Sequence, residues 1–134
     1  MHSTRVTGGY AITPPLPPDL TLGSVFHPDT PESPPYGCDL ILRLDETDGP
    51  RAEATASRLE ARRGDTYALA GQVQVALNTF PGHAFTGLLI CEGNSPETLW
   101  RITVRDGRTV VHHARITWPG DDAPGDEAPV SEMP

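Results

Sequence analysis

The chain contains no lysine: all ten of its Lys+Arg residues are arginine. Schiff-base chemistry and P-loop phosphate binding both depend on a lysine side chain, so both are excluded. No apolar run exceeds four residues, as in Leu88–Cys91, so neither a transmembrane helix nor a secretory hydrophobic segment is expected. Cysteine is scarce as well. Cys38 and Cys91 are too few for a disulfide scaffold, and each lies in an apolar, strand-like stretch where a reduced thiol packs as a small hydrophobe. The expectation is a cytoplasmic protein with two free structural thiols. Catalytic signatures are missing too: there is no G-x-S-x-G, no H-E-x-x-H and no G-x-G-x-x-G.

What is present is acidity, unevenly distributed. The 134 residues carry a formal charge of -8, which argues against a nucleic acid or an anionic membrane surface as partner. Pro119–Pro134 holds five of the 18 acidic residues, four prolines and no arginine. That stretch reads as a disordered acidic tail, leaving residues 1–118 as one domain. Within the domain, residues 14–35 contain eight prolines and are expected to be extended, because proline fixes φ and lacks a backbone donor.

Hydrophobic spacing supplies the elements. Val6, Tyr10 and Ile12 share one parity in Arg5–Thr13, with Gly8-Gly9 suggesting a bulge or bend. Cys38, Leu40, Leu42 and Leu44 alternate with polar residues, and an Asp48-Gly49 turn leads to Arg51–Arg62, read as a strand. Leu69, Val73, Ala76, Leu77 and Phe80 form one helical stripe over Thr66–Phe80, capped by Asp65 or Thr66 and stopped by Pro81-Gly82. Phe85–Glu92 reads as a central strand covered on both sides. Leu99–Trp118 reads as a hairpin, and a three-residue loop, Arg105-Asp106-Gly107, gathers Trp100, Ile102, Val104, Val110, Ala114, Ile116 and Trp118 on one face. The fold expected is α+β, a mostly antiparallel sheet of five or six strands with one helix packed on one face.

Several short motifs carry a resemblance. They are Thr4-Arg5-Val6-Thr7-Gly8 with Ile12-Thr13-Pro14-Pro15-Leu16, Phe85-Thr86-Gly87, Glu92-Gly93, Leu99-Trp100-Arg101, Val104–Arg108 and Ile116-Thr117-Trp118-Pro119. Over Thr4–Pro119 the chain resembles a family of small uncharacterised bacterial proteins, a domain of unknown function. The resemblance implies one small shared domain and brings no activity, cofactor or catalytic residue with it.

Candidate site residues are few. Arg101, His113 and Arg115 fall on the polar face of the expected hairpin, where arginine forks suit carboxylate or phosphate; an ordinary solvated strand face is the competing reading. Glu92, at the end of the central strand, is the best single general acid or base, without an identifiable partner. Asp45–Gly49 looks like a calcium loop, but with Gly49 at position 6 it places Leu44 and Thr55 where carboxylates are required. Cys38, Cys91, His83, His112 and His113 lack zinc spacing, and adjacent histidines on a strand point to opposite faces. His112 is expected as the imidazole beside Trp100. No metal and no cofactor are expected. The function expected is a non-enzymatic protein-interaction module with another protein as partner. The alternative is a small-molecule or anion-binding domain, with or without weak enzymatic activity, and an acidic decoy for a nucleic-acid-binding protein comes third.

Overall fold

A computed structural model of the chain describes residues 2–3, 5–29, 39–62, 66–95 and 98–115. Cys38, Asp65, Ile116 and Trp118 of the expected hairpin, the later part of the proline-rich segment and the acidic tail therefore lie outside the described residues. The fold is α+β. Strands β1 (His2–Ser3), β2 (Arg5–Leu16), β3 (Leu40–Leu44), β4 (Ala56–Ala61), β5 (Thr66–Tyr67), β6 (Ala84–Glu92), β7 (Leu99–Arg105) and β8 (Arg108–His113) accompany helices α1 (Pro18–Leu22) and α2 (Leu69–Thr79). Six strands form one antiparallel sheet in the order β3-β4-β2-β6-β7-β8, and β1 pairs separately with β5. No described helix is long and apolar enough to cross a membrane.

Alternation builds the core. Tyr10, Ile12, Leu40, Leu42, Leu59, Phe85, Leu89, Cys91, Trp100 and Ile102 point to one face of the sheet and are buried there. The expected helical stripe meets them: Leu69, Val73, Ala76 and Phe80 are buried, and Phe80 packs 6.1 Å from Phe26 between ring centres. Tyr10 crosses β6 to donate a hydrogen bond of 2.7 Å to the carbonyl of Ile102. Burial pushes its phenol well above the ordinary range.

Helix α2 also reaches both edges of the sheet. Gln72 accepts the Asp39 N–H at 2.8 Å and donates to the Asp39 carboxylate at 3.0 Å, just before β3. Gln74 accepts the Thr109 N–H of β8 at 2.8 Å and donates to the Gly107 carbonyl at 3.2 Å. Six flat strands span about 24 Å and a helix with its side chains only about 10 Å. Side chains two residues apart on one helix reach both edges only because the sheet curls around α2.

Four local expectations are corrected. Helix α2 begins at Leu69 through left-handed Ala68 (φ 51°) without a side-chain cap, because the backbone of Thr66–Tyr67 is committed to pairing with β1. The proline-rich segment is not extended throughout: Pro18 opens the single helical turn of α1, a position where its missing donor costs nothing. The β2–β6 register runs unbroken through Gly8-Gly9, so these glycines make no bulge there; the irregularity lies opposite β4, between Ala11 and Leu16, around Pro14 and Pro15. In Arg51–Arg62, a short 3-10 turn (Arg51–Glu53) precedes β4.

Cys91 is buried near the end of β6, and burial pushes its thiol up to about 11. It stays protonated at neutral pH and lacks the thiolate that attacks disulfide reagents. In a Cys38→Ser variant at pH 8, Ellman's reagent is expected to find no native thiol and one equivalent after denaturation. Prompt native reaction would show that β6 opens.

Candidate functional site

The register of the last hairpin determines which residues meet. β7 and β8 pair as Trp100↔His113, Arg101↔His112, Ile102↔Val111 and Arg105↔Arg108, leaving a two-residue Asp106-Gly107 turn. Both turn residues have positive φ, 52° and 75°, the type I′ geometry whose twist matches that of the flanking strands. The expected three-residue loop is therefore wrong. Burial did not separate the alternatives on β8, since one register turns Val110 to the core and the other Val111.

The predicted cluster changes accordingly. Arg101 faces outward with His112, while His113 turns to the opposite side and packs against Trp100, ring centres 6.4 Å apart at 39°. His113, not His112, is the imidazole beside Trp100. Arg115 follows β8 and is exposed. Glu92 closes β6 in an ion pair with Arg5 at 3.5 Å, both side chains open to solvent. Arg101 and Glu92 share the outer face on adjoining rungs. They line two concavities of about 400 Å³ and about 470 Å³ that meet at Leu99, the first lined by Ile90, Arg101 and His112 of the outer face together with His113 and the buried Trp100 of the opposite one.

The open face of the sheet is larger than this end. Among the described residues α2 packs on one side only, so β6 is covered there on one face, not on both as expected, and Ile90 is 41 % exposed. Cross-strand registers place the outer residues in rungs. One carries Arg43, Arg58, Ala11 and Thr86, and Arg105 and Arg108 face each other at the turn end of the last hairpin. The next carries Ile41 with Glu60, then Gly9, Leu88, Thr103 and Val110. The third carries Thr7, Ile90, Arg101 and His112.

Arg43 and Arg58 stand directly opposite each other on this face and share Glu60, with the Arg58 contact at 2.8 Å. Burial alone pushes the Glu60 carboxyl up, but hydrogen bonds from both guanidinium groups outweigh it and hold the carboxyl below its ordinary range. A carboxyl lowered in the folded state supports stability above its unfolded value, and that support fades as pH falls through the lowered one. Arg58 also lies over Gly9, where a Cβ atom would stand 2.8 Å from its guanidinium nitrogen.

Reading each strand separately had missed this face. Its signal was available: one helix can cover only one side of a sheet, so the opposite parity of every strand must face out. Asp45–Gly49, the calcium-like stretch, starts the β3–β4 connection. Asp45 accepts hydrogen bonds from Thr55 at 2.6 Å and from Ser57. Among the described residues no three His, Cys, Asp or Glu side chains converge.

No curated protein and no solved structure matches this chain. A family match covers residues 33–129, from before β3 to beyond β8, so that central strand β2 precedes it. With most of its length matched, the chain belongs to a family of unknown function (DUF6205).

Proposed function

We propose that the protein is a non-enzymatic protein-interaction module whose contact surface is the open face of the six-stranded sheet. The observation that carries this reading is the uncovered side of β6 and β7, where exposed Ile90 and half-buried Leu88 and Leu99 lie among arginines. Apolar and arginine side chains together are the enriched chemistry of protein interfaces. The buried nucleophile and phenol of the core, Cys91 and Tyr10, are both closed to a substrate.

A tagged chain and its Ile90→Asp variant, compared by pull-down from the source cells, test the reading. Ile90 is already exposed, so the variant is expected to melt within a few degrees of the parent while losing a stoichiometric partner. A partner retained at full yield by Ile90→Asp would overturn the assignment of this face.

A second reading, a small-anion site, rests on the concavity of about 400 Å³ that holds Arg101 and His112. Calorimetric titration with inorganic phosphate and with a dicarboxylate tests it. Saturable heat that disappears in Arg101→Ala supports it, and no heat removes it.

A further inference from the structure

Building on the interaction reading above, we infer the chemistry of the partner: an acidic, extended protein segment with aliphatic residues between its acids. The outer face carries Arg5, Arg43, Arg58, Arg101, Arg105 and Arg108 against Glu60 and Glu92, an excess of four positive charges on a chain of formal charge -8. The acidity thus lies elsewhere, and this face has the opposite sign.

The distribution is more specific than the total. Arg43 stands opposite Arg58, and Arg105 opposite Arg108; like charges directly opposite on neighbouring strands destabilise a sheet. Glu60 relieves the first pair. The second has no such relief: among the described residues, Arg101, Arg105 and Arg108 make no ion pair. Three uncompensated guanidinium groups on two adjoining strands repel one another until an anion arrives, and their forks match carboxylates two oxygens at a time.

The rung of the first pair continues only into the small residues Ala11 and Thr86, and Arg105 lies two positions beyond Thr103 on the same face of β7. Three strand spacings separate β4 from β7, about 14 Å, which is roughly four residues of extended chain. Leu88 and Val110, on the neighbouring rung, are placed to receive aliphatic side chains. The complementary segment therefore has two acidic clusters about four residues apart, the spacing set by this geometry.

Other polyanions fit less well. Sheet faces that bind single-stranded nucleic acid stack bases on aromatic side chains, and the described outer face has no Phe, Tyr or Trp. A duplex or a bilayer presents a broad anionic surface that also meets the acidic remainder of the chain. Face to face, a second copy brings the same positive charge, which repels its twin.

The test uses the full chain and a labelled twelve-residue peptide of Glu and Val, with two Glu-Glu clusters four residues apart, read by fluorescence anisotropy. Binding is expected to weaken at least tenfold between 50 and 300 mM salt, roughly as expected for several released counterions, and at least tenfold in Arg105→Glu/Arg108→Glu. An Arg43→Gln variant gives a milder second measurement, and circular dichroism melts confirm that both variants fold. A Lys-for-Glu peptide, a duplex DNA and phosphatidylserine vesicles serve as comparisons. Tighter binding of DNA or vesicles than of the acidic peptide overturns the inference. So does peptide binding that survives the charge reversal. If Ile90→Asp abolishes partner capture while the arginine variants do not, the interaction face stands and the acidic chemistry assigned here is overturned.

Discussion

Trp100→Ala is expected to lower the free energy of unfolding by about 3–5 kcal/mol, the range for removing a buried tryptophan from a core. Trp100 is only 3 % exposed and lies between Cys91 on β6 and His113 on β8. Its loss leaves a cavity lined by two strands that cannot collapse without breaking their ladders. A domain of this size has roughly 5–15 kcal/mol in total, so the variant should be close to unfolding at body temperature. Arg101→Ala, one residue on and facing outward, is expected to cost under about 1 kcal/mol. Urea denaturation of both variants decides the matter, and equal losses would mean that the buried and open faces of β7 are interchanged.

Gly87→Ala is expected to be comparably damaging for a different reason. Gly87 has φ 132°, and a Cβ there would stand 2.3 Å from the Gly9 carbonyl oxygen. Gly8, with φ 97°, faces the Leu88 carbonyl oxygen at 2.4 Å in the same way. Both glycines belong to the unbroken β2–β6 ladder at the middle of the sheet. The φ strain alone costs roughly 1–3 kcal/mol, and the clash is with backbone, which cannot rotate aside. Gly82→Ala separates the two effects. Its φ is 84° but nothing lies within 4 Å of the added carbon, so it should show the conformational cost only. A Gly87→Ala variant no less stable than Gly82→Ala would disprove the close approach of the two central strands.

What could be read from the sequence divides along physical lines. Periodicity located the strands and the helical stripe, because side-chain direction is fixed by the backbone repeat: Leu40 and Leu42 alternate inward, and Leu69, Val73, Ala76 and Phe80 share one helical face. Fold class followed from those patterns. Local geometry with two near-equal solutions did not. Val110 and Val111 offer the same apolar surface, so burial could not choose the hairpin register, and the two positive φ angles of Asp106-Gly107 did. The start of α2 was hidden because Thr66 pairs with Ser3, a partner more than sixty positions away. The candidate site suffered from both causes. Glu92 and Arg101 do share the outer face, whereas His113 left it with the register, and Arg43 and Arg58 joined it only through a strand order that no single segment encodes.

The reach of α2 to both edges has a consequence for how the protein behaves at high concentration. Exposed edge strands recruit strands from neighbouring molecules, the usual route to β-aggregation. Here the helix and the loop after α1 occupy some of those positions: Gln72 takes the Asp39 N–H at the entry to β3, the Phe26 carbonyl takes the outward Leu42 N–H at 2.8 Å, and Gln74 takes the outward Thr109 N–H of β8. A foreign strand approaching β3 near Leu42, or β8 near Thr109, must first dislodge the loop or side chain bonded there. The fold thus obstructs part of each flank while keeping its broad side free for a chosen visitor.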